Sequence, residues 1–160
     1  MALDLKSVGT KIDPVEQRYC WKDVALYALA VGADESDLGY LLDDPAPRVL
    51  PTWAVIPAFE PVFSAIDATG GNKLTLVHSA QRTELLRAFP SAGTMRTGAE
   101  VAGIWDMKVG ALVAIDTHTE VDGVPTARTR WHLLLRGEGG FKGERPPGQL
   151  KARPPKGQEP

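Results

Sequence analysis

The chain has 160 residues, 43% of them hydrophobic and 24% charged, which suits one soluble globular domain with its own core. A formal net charge of −2 leaves no basic footprint, so no nucleic-acid partner is expected. The single cysteine, Cys20, excludes an internal disulfide and fits a reducing compartment; it is expected to be a small buried hydrophobe.

The N-terminus alternates charged and apolar residues without the apolar run of a signal peptide. The longest uncharged run there, Val24 to Ala33, has ten residues, about half of the ~20 that span a bilayer. No membrane partner is expected, and the expected location is cytoplasmic. Residues 4 to 12 show no clear period, and Val15 to Cys20 alternates as a short strand. Trp21 to Val31 reads as a helix dense in Ala and Leu, ended by Gly32 at a C-cap position. Only Lys22 and Asp23 interrupt its apolar surface, so burial on several sides is expected.

Asp34 to Arg48 is polar, and Asp43-Asp44-Pro45-Ala46-Pro47 marks a loop. Leu50 to Ile66 is mostly apolar but carries Pro51, Pro57 and Pro61, each of which removes a donor and crowds the preceding turn. A broken helix, or short turns laid across a sheet, is expected there.

From Lys73 the period becomes two. Leu74, Leu76 and His78 share one face of a first strand. The next runs over Gln81 to Arg87, and Pro90-Ser91-Ala92-Gly93 turns the chain. Met95, Thr97, Ala99 and Val101 alternate on a third strand, and Ala111, Val113 and Ile115 on a fourth. Asp122-Gly123 is a strong hairpin dipeptide. On the last strand Ala127, Thr129, Trp131, Leu133 and Leu135 point one way, and Arg128, Arg130, His132 and Arg136 the other. An apolar helix ahead of an antiparallel meander is an α+β pattern, with the helix on one face of the sheet. Within residues 137–160, 6 Gly and 5 Pro fill 11 of 24 positions without apolar periodicity. The domain is therefore expected over residues 1–136, with 137–160 an extended, mobile linker or tail.

Asp116 and His118 share a strand face, but two ligands of unspecific spacing are a poor metal signal, and no metal site is expected. Ser79 and His78 do not make a nucleophile–base pair, because neighbours on an extended chain point to opposite faces. Trp53, Trp105 and Trp131 are candidate interface anchors.

Three segments carry more when taken in order: Leu50-Pro51-Thr52-Trp53-Ala54-Val55-Ile56, Leu76-Val77-His78-Ser79-Ala80-Gln81, and Leu133-Leu134-Leu135-Arg136-Gly137-Glu138-Gly139-Gly140-Phe141. From Val8 to Gly143 the chain resembles the N-terminal half of the MaoC-like, (R)-specific enoyl-CoA hydratase 2 family. The resemblance implies a single hotdog fold, an antiparallel sheet wrapped around a central, broken helix. In that family two hotdog folds are fused, and the second carries an Asp-x4-His pair. The carboxylate orients and activates water, and the imidazole manages the α-carbon proton, as trans-2-enoyl-CoA becomes (3R)-3-hydroxyacyl-CoA. Here the three histidines are His78, His118 and His132, and five positions earlier stand Lys73, Val113 and Ala127. No catalytic residue is expected in this chain.

The resemblance also marks binding residues. His78-Ser79-Ala80-Gln81 stands where the family has His-Gly-Glu-Gln, whose His-Gly pair lies against the acyl-CoA. His78 is expected to end a strand before a tight reversal, and the Cβ of Ser79 restricts any positive φ that glycine would allow. Lys108, in Asp106-Met107-Lys108, stands one place beyond the lysine of the family's Asp-Lys-Gly, which contacts the CoA portion. From a loop its four-carbon stem still reaches a phosphate. Trp53, Phe59 and Phe63 are expected to line an apolar tunnel for the acyl group. No cofactor is implied, since acyl-CoA enters as substrate.

The expected function is the acyl-pocket subunit, or half, of an enoyl-CoA hydratase or 3-hydroxyacyl dehydratase, a lyase of lipid metabolism. Its expected partner, in a heterodimer or heterotetramer, is a hotdog chain that bears the Asp/His dyad and whose sheet edge it covers. The rival expectation is a non-catalytic acyl-CoA binding or scaffolding homodimer. A fragment of a fused hydratase is a third. A hotdog thioesterase needs a carboxylate at the thioester, for which only scattered candidates such as Asp67 and Glu84 are on offer.

Overall fold

The computed structural model describes residues 3–147. Five strands form one antiparallel sheet: β1 (Lys11–Tyr19), β2 (Leu76–Leu85), β3 (Gly93–Asp106), β4 (Gly110–Val121) and β5 (Val124–Arg136). Their spatial order is β1-β3-β4-β5-β2, so β1 and β2 are the two edges. Three helices accompany the sheet: α1 (Trp21–Ala30), the single turn α2 (Leu38–Leu41) and α3 (Phe59–Ala68). The sheet wraps α3, which is the expected hotdog arrangement.

The prolines act on the central helix as their chemistry requires. A 3₁₀ turn over Pro51–Val55 comes first, and α3 starts only after Pro57. Pro61 is tolerated because it falls in the first turn of α3, where no donor is needed. Val62, Ala65 and Ile66 then form one stripe, none more than 1% exposed. They meet Ala99, Val101, Val113, Ile115, Leu133 and Leu135 on the inner face of the sheet. Each fully buried Val, Leu or Ile among them contributes about 1.5–3 kcal/mol. A second cluster, with Tyr19, Val24, Trp53, Phe89, Met95, Val121 and Ala127, closes the other end of the sheet beneath α1.

Helix α1 ends as expected. Gly32 adopts φ 107°, and the Gly32 and Ala33 N–H groups donate to Leu29 and Ala28 in a Schellman motif. Its burial is not as expected. Only Val24, Ala25 and Ala28 are buried, whereas Leu26 and Leu29 are 66% and 52% exposed. One flank of α1 meets the second cluster, and no described residue covers the other, a distinction that an all-apolar sequence does not encode. Cys20, expected inside, is exposed at the start of α1, where its backbone N–H donates to Asp23.

The two strands expected over residues 74–87 are one. β2 is continuous past His78, and its register against β5 shifts between His78 and Ala80. Ser79 is thus the extra residue of a β-bulge, not part of a reversal. It does so without a left-handed φ. Leu74 is not on the strand face either: Lys73–Thr75 is a 3₁₀ turn capped by Asn72, and Leu74 is 95% exposed. The β4–β5 hairpin turns on Asp122 and Gly123 at φ 50° and 77°, the geometry of a primed turn.

Beyond β5, residues 137–147 lie against the domain. Phe141 packs on the main cluster, and a Cβ on Gly139 would stand 2.6 Å from the Gly110 carbonyl oxygen, so that close crossing needs glycine. The rest of the expected tail, 148–160, is outside the described residues. No helix among the described residues is long and apolar enough to cross a membrane.

Candidate functional site

The inner face of β5 presents Trp131, 3% exposed, toward the N-terminal turn of α3. Three groups fix this indole. The His78 ring stacks on it at 4.9 Å between centres, and Phe59 meets it edge-on at 5.4 Å. Its Nε1–H donates to Thr129 Oγ1 at 2.7 Å. Phe63 stacks on Phe59 at 6.3 Å, continuing the aromatic row along the exposed flank of α3. Phe59 and Phe63 keep 47% and 38% of their surface exposed, and His78 is exposed on the edge strand. The row therefore borders open space at the β2 edge.

Of the expected site residues, His78, Ser79 and Phe59 are brought together here, with Ser79 exposed at the bulge. Trp53 is elsewhere. It sits in the second cluster, 4% exposed, between Tyr19 and Tyr27 at 5.6 Å and 5.4 Å, and its buried Nε1 has no hydrogen-bond partner among the described residues. Trp53 and Trp131 are core residues, which removes both from the candidate interface anchors. Trp105 is half-buried on the outer face, over Gly103.

Lys108 lies exposed on the β3–β4 turn, at the sheet end where β2 begins. Asp106 shapes that turn. Its Oδ1 accepts N–H bonds from Lys108 at 2.8 Å and Gly140 at 2.9 Å, and its Oδ2 accepts from Lys142 at 2.8 Å. Donation from Gly140 and Lys108 first, then from Lys142 and Gly143, holds the carboxyl below the ordinary aspartate range although burial opposes it.

The outer face of the sheet is different in kind. A cavity of about 860 Å³ there is bordered by Glu100, Trp105, Asp116, Arg130, His132 and Pro146. Asp116 pairs with Arg130, whose Nε donates at 2.6 Å, so it does not engage His118. Burial and then the Arg130 charge push the His132 imidazole below its ordinary value. No group of three metal-ligating side chains occurs among the described residues.

Residues 18–137 match the MFE-2 hydratase 2 N-terminal domain. The chain belongs to this MaoC-like family. The chain is 36% identical to the 3-hydroxyacyl-thioester dehydratase Y of Mycobacterium tuberculosis, over 91% of this chain and 53% of that relative. Among solved structures, the MaoC-like dehydratase of Phytophthora capsici superposes with a TM-score of 0.74 at 23% identity, over 96% of this chain and 58% of that one. The ChsH1-ChsH2 complex of Mycobacterium tuberculosis gives 0.60 at 14% identity, over 86% of this chain and 90% of that one. Both likenesses are of fold. The chain spans about half the length of the curated relatives it matches.

Sequence reasoning missed Trp131 as the platform and Asp106 as the clasp of the β3–β4 turn. Trp131 had a signal, its phase with Leu133 and Leu135 on the inner face of β5. Asp106 had none, because its partners are backbone N–H groups, two of them more than thirty residues on.

Proposed function

We propose that this chain is the acyl-pocket half of an enoyl-CoA hydratase or 3-hydroxyacyl dehydratase, working beside a second hotdog chain that supplies the Asp and His. The observation that carries the reading is a hydratase 2 N-terminal frame in which no histidine has an aspartate five positions before it. Water activation and proton transfer at the α-carbon need both groups, so the partner brings them. This chain brings the aromatic row of Phe59, His78 and Trp131 for the acyl end, the His78-Ser79 bulge for the thioester, and Lys108 for a phosphate.

The two edges of the sheet differ in their fitness for a partner. β1 carries Pro14, where its register against β3 shifts, which blunts an edge. β2 runs ten residues without a proline, and beside it Phe59, Phe63 and Val77 are exposed. We accordingly propose that the partner covers β2; a cytoplasmic location of the complex is proposed from the sequence alone.

The test is co-purification with a dyad-bearing hotdog chain, followed by hydration of crotonyl-CoA and longer trans-2-enoyl-CoAs, read by loss of the conjugated thioester absorbance. Activity is expected from the pair and not from this chain alone. Equal activity from the partner by itself sinks the proposal. Tight ligand binding without turnover in every combination supports the scaffolding homodimer instead.

A further inference from the structure

We infer that Lys142 is a second phosphate-contacting residue for the nucleotide end of an acyl-CoA, set beside Lys108 by their shared hold on Asp106. The inference rests on the acyl-CoA reading above and extends it to the charged end of the substrate.

Among the described residues, three that are not glycine have a left-handed backbone: Lys108 at φ 65°, Asp122 at 50° and Lys142 at 59°. Asp122 is explained by the β4–β5 hairpin and by its side chain, which accepts the Thr94 N–H at 3.0 Å. The other two are lysines on different segments, and their backbone N–H groups occupy the two oxygens of one carboxylate. A Cβ is disfavoured in this conformation and glycine is not. Glycine fills it nearby, at Gly137 and Gly140, with φ of 79° and 84°. Lysine at 108 and 142 adopts this conformation at some cost to the backbone, and what it offers there that glycine would not is its charged side chain.

The charges around the clasp agree. Asp106 is 8% exposed, and its oxygens are taken up by backbone donors. Glu144 reaches the clasp through its carbonyl, which accepts the Asp106 N–H at 2.9 Å. The Glu138 carboxylate is directed to the Asn72 N–H at 2.7 Å. Both lysines are exposed, and neither is ion-paired among the described residues. Two solvated point cations on adjacent loops suit two phosphate groups of one ligand.

The placement suits the polar end of acyl-CoA. His78 pairs opposite Leu133, and Gly110 opposite Arg136. Three residues along β5 and two strand spacings across give roughly 14 Å between the His78 bulge and the start of the turn. That is comparable to an extended pantetheine arm between thioester and diphosphate.

The test is calorimetric titration of the full 160-residue chain with crotonyl-CoA and with crotonyl-pantetheine, at low and high salt. Lys142→Gly suits the left-handed backbone better than lysine, so the variant folds. It is expected to weaken crotonyl-CoA binding by about three- to fivefold, to flatten its salt dependence and to leave crotonyl-pantetheine unchanged. Lys142→Arg is expected to keep wild-type affinity. Undiminished crotonyl-CoA binding by Lys142→Gly overturns the inference and leaves the acyl-CoA reading intact. Equal loss for both ligands makes Lys142 a structural residue and also overturns it. A wild-type chain that binds neither ligand, alone or assembled with the dyad-bearing hotdog chain, overturns the inference and the reading together.

Discussion

The imidazole of His78 lies 4.9 Å from the indole of Trp131, with the two planes 16° from parallel. The contact joins an exposed residue of the edge strand to a core residue 3% exposed, so the core sets the orientation of the edge. Trp131→Ala is predicted to destabilise the domain by about 3–5 kcal/mol, and His78→Ala by no more than about 1.5 kcal/mol. Urea unfolding checks both. Equal losses would mean that His78 is part of the core and not free to face a substrate.

Thr129 holds the other side of the indole. Its Oγ1 accepts the Trp131 Nε1–H at 2.7 Å and lies 2.6 Å from Thr117 Oγ1. Thr129→Val keeps the shape but strands a buried N–H, which costs about 1–3 kcal/mol. Thr117→Val leaves that bond in place and is predicted to cost about 1 kcal/mol or less. Chemical denaturation of the two variants should rank them in that order; the reverse order would give the indole a different acceptor.

The sequence was most legible where one local rule acted without competition. β5 alternates cleanly, and its turn is marked by Asp122-Gly123, so its inner residues could be named before the fold was known. The three prolines before and within α3 told of a broken helix because a missing N–H is a local fact. β2 was split in two because the bulge at Ser79 offsets the alternation, which a linear reading takes for a strand end. α1 misled because apolar residues on all sides promise burial only if neighbours exist to supply it. The candidate site followed the same division. His78 and Phe59 came from recognisable segments, whereas their meeting on Trp131 depends on β2–β5 register and on the start of α3, which are properties of the packed fold.

The Asp106 clasp makes an acid-stability prediction. Its folded carboxyl titrates below the unfolded value of about 3.9. The stabilisation is therefore fully present above that value and is lost as pH falls through the folded pKa. In Asp106→Asn this part of the pH dependence should vanish. Its Tm should lie below wild type at pH 7, and the gap should narrow below about pH 4. Thermal scans from pH 2 to 7 check this, and a gap constant with pH would assign the loss to shape, not charge.

Tyr19 makes the opposite prediction at high pH. Burial, and secondarily the Asp122 charge, raise its hydroxyl to about 12 from 10.0, and the hydroxyl donates to the Pro90 carbonyl at 2.7 Å. A raised folded pKa stabilises fully below the unfolded value, and the benefit fades as pH climbs from about 10 to about 12. Tyr19→Phe should lower stability by about 0.5–1.5 kcal/mol at pH 7 and lose stability less steeply above pH 10. Parallel wild-type and variant curves at alkaline pH would remove Tyr19 as the source.

The assignment of the partner to β2 is testable without any turnover. Phe63 and Val77 are 38% and 43% exposed beside that edge, so charging them should hardly disturb the isolated fold. Phe63→Lys and Val77→Lys are each predicted to change the stability of the isolated chain by no more than about 0.5 kcal/mol. Each should nevertheless weaken assembly with the dyad-bearing chain at least about tenfold, since an ammonium would have to be desolvated in a closed interface. Glu16→Lys, exposed on the proline-bearing β1 edge, is the matched control and should leave assembly unchanged. Sedimentation velocity of the mixed chains reads all three. If Glu16→Lys breaks the complex while the β2 variants assemble normally, the partner sits on β1, and the aromatic row by His78 then faces no second chain.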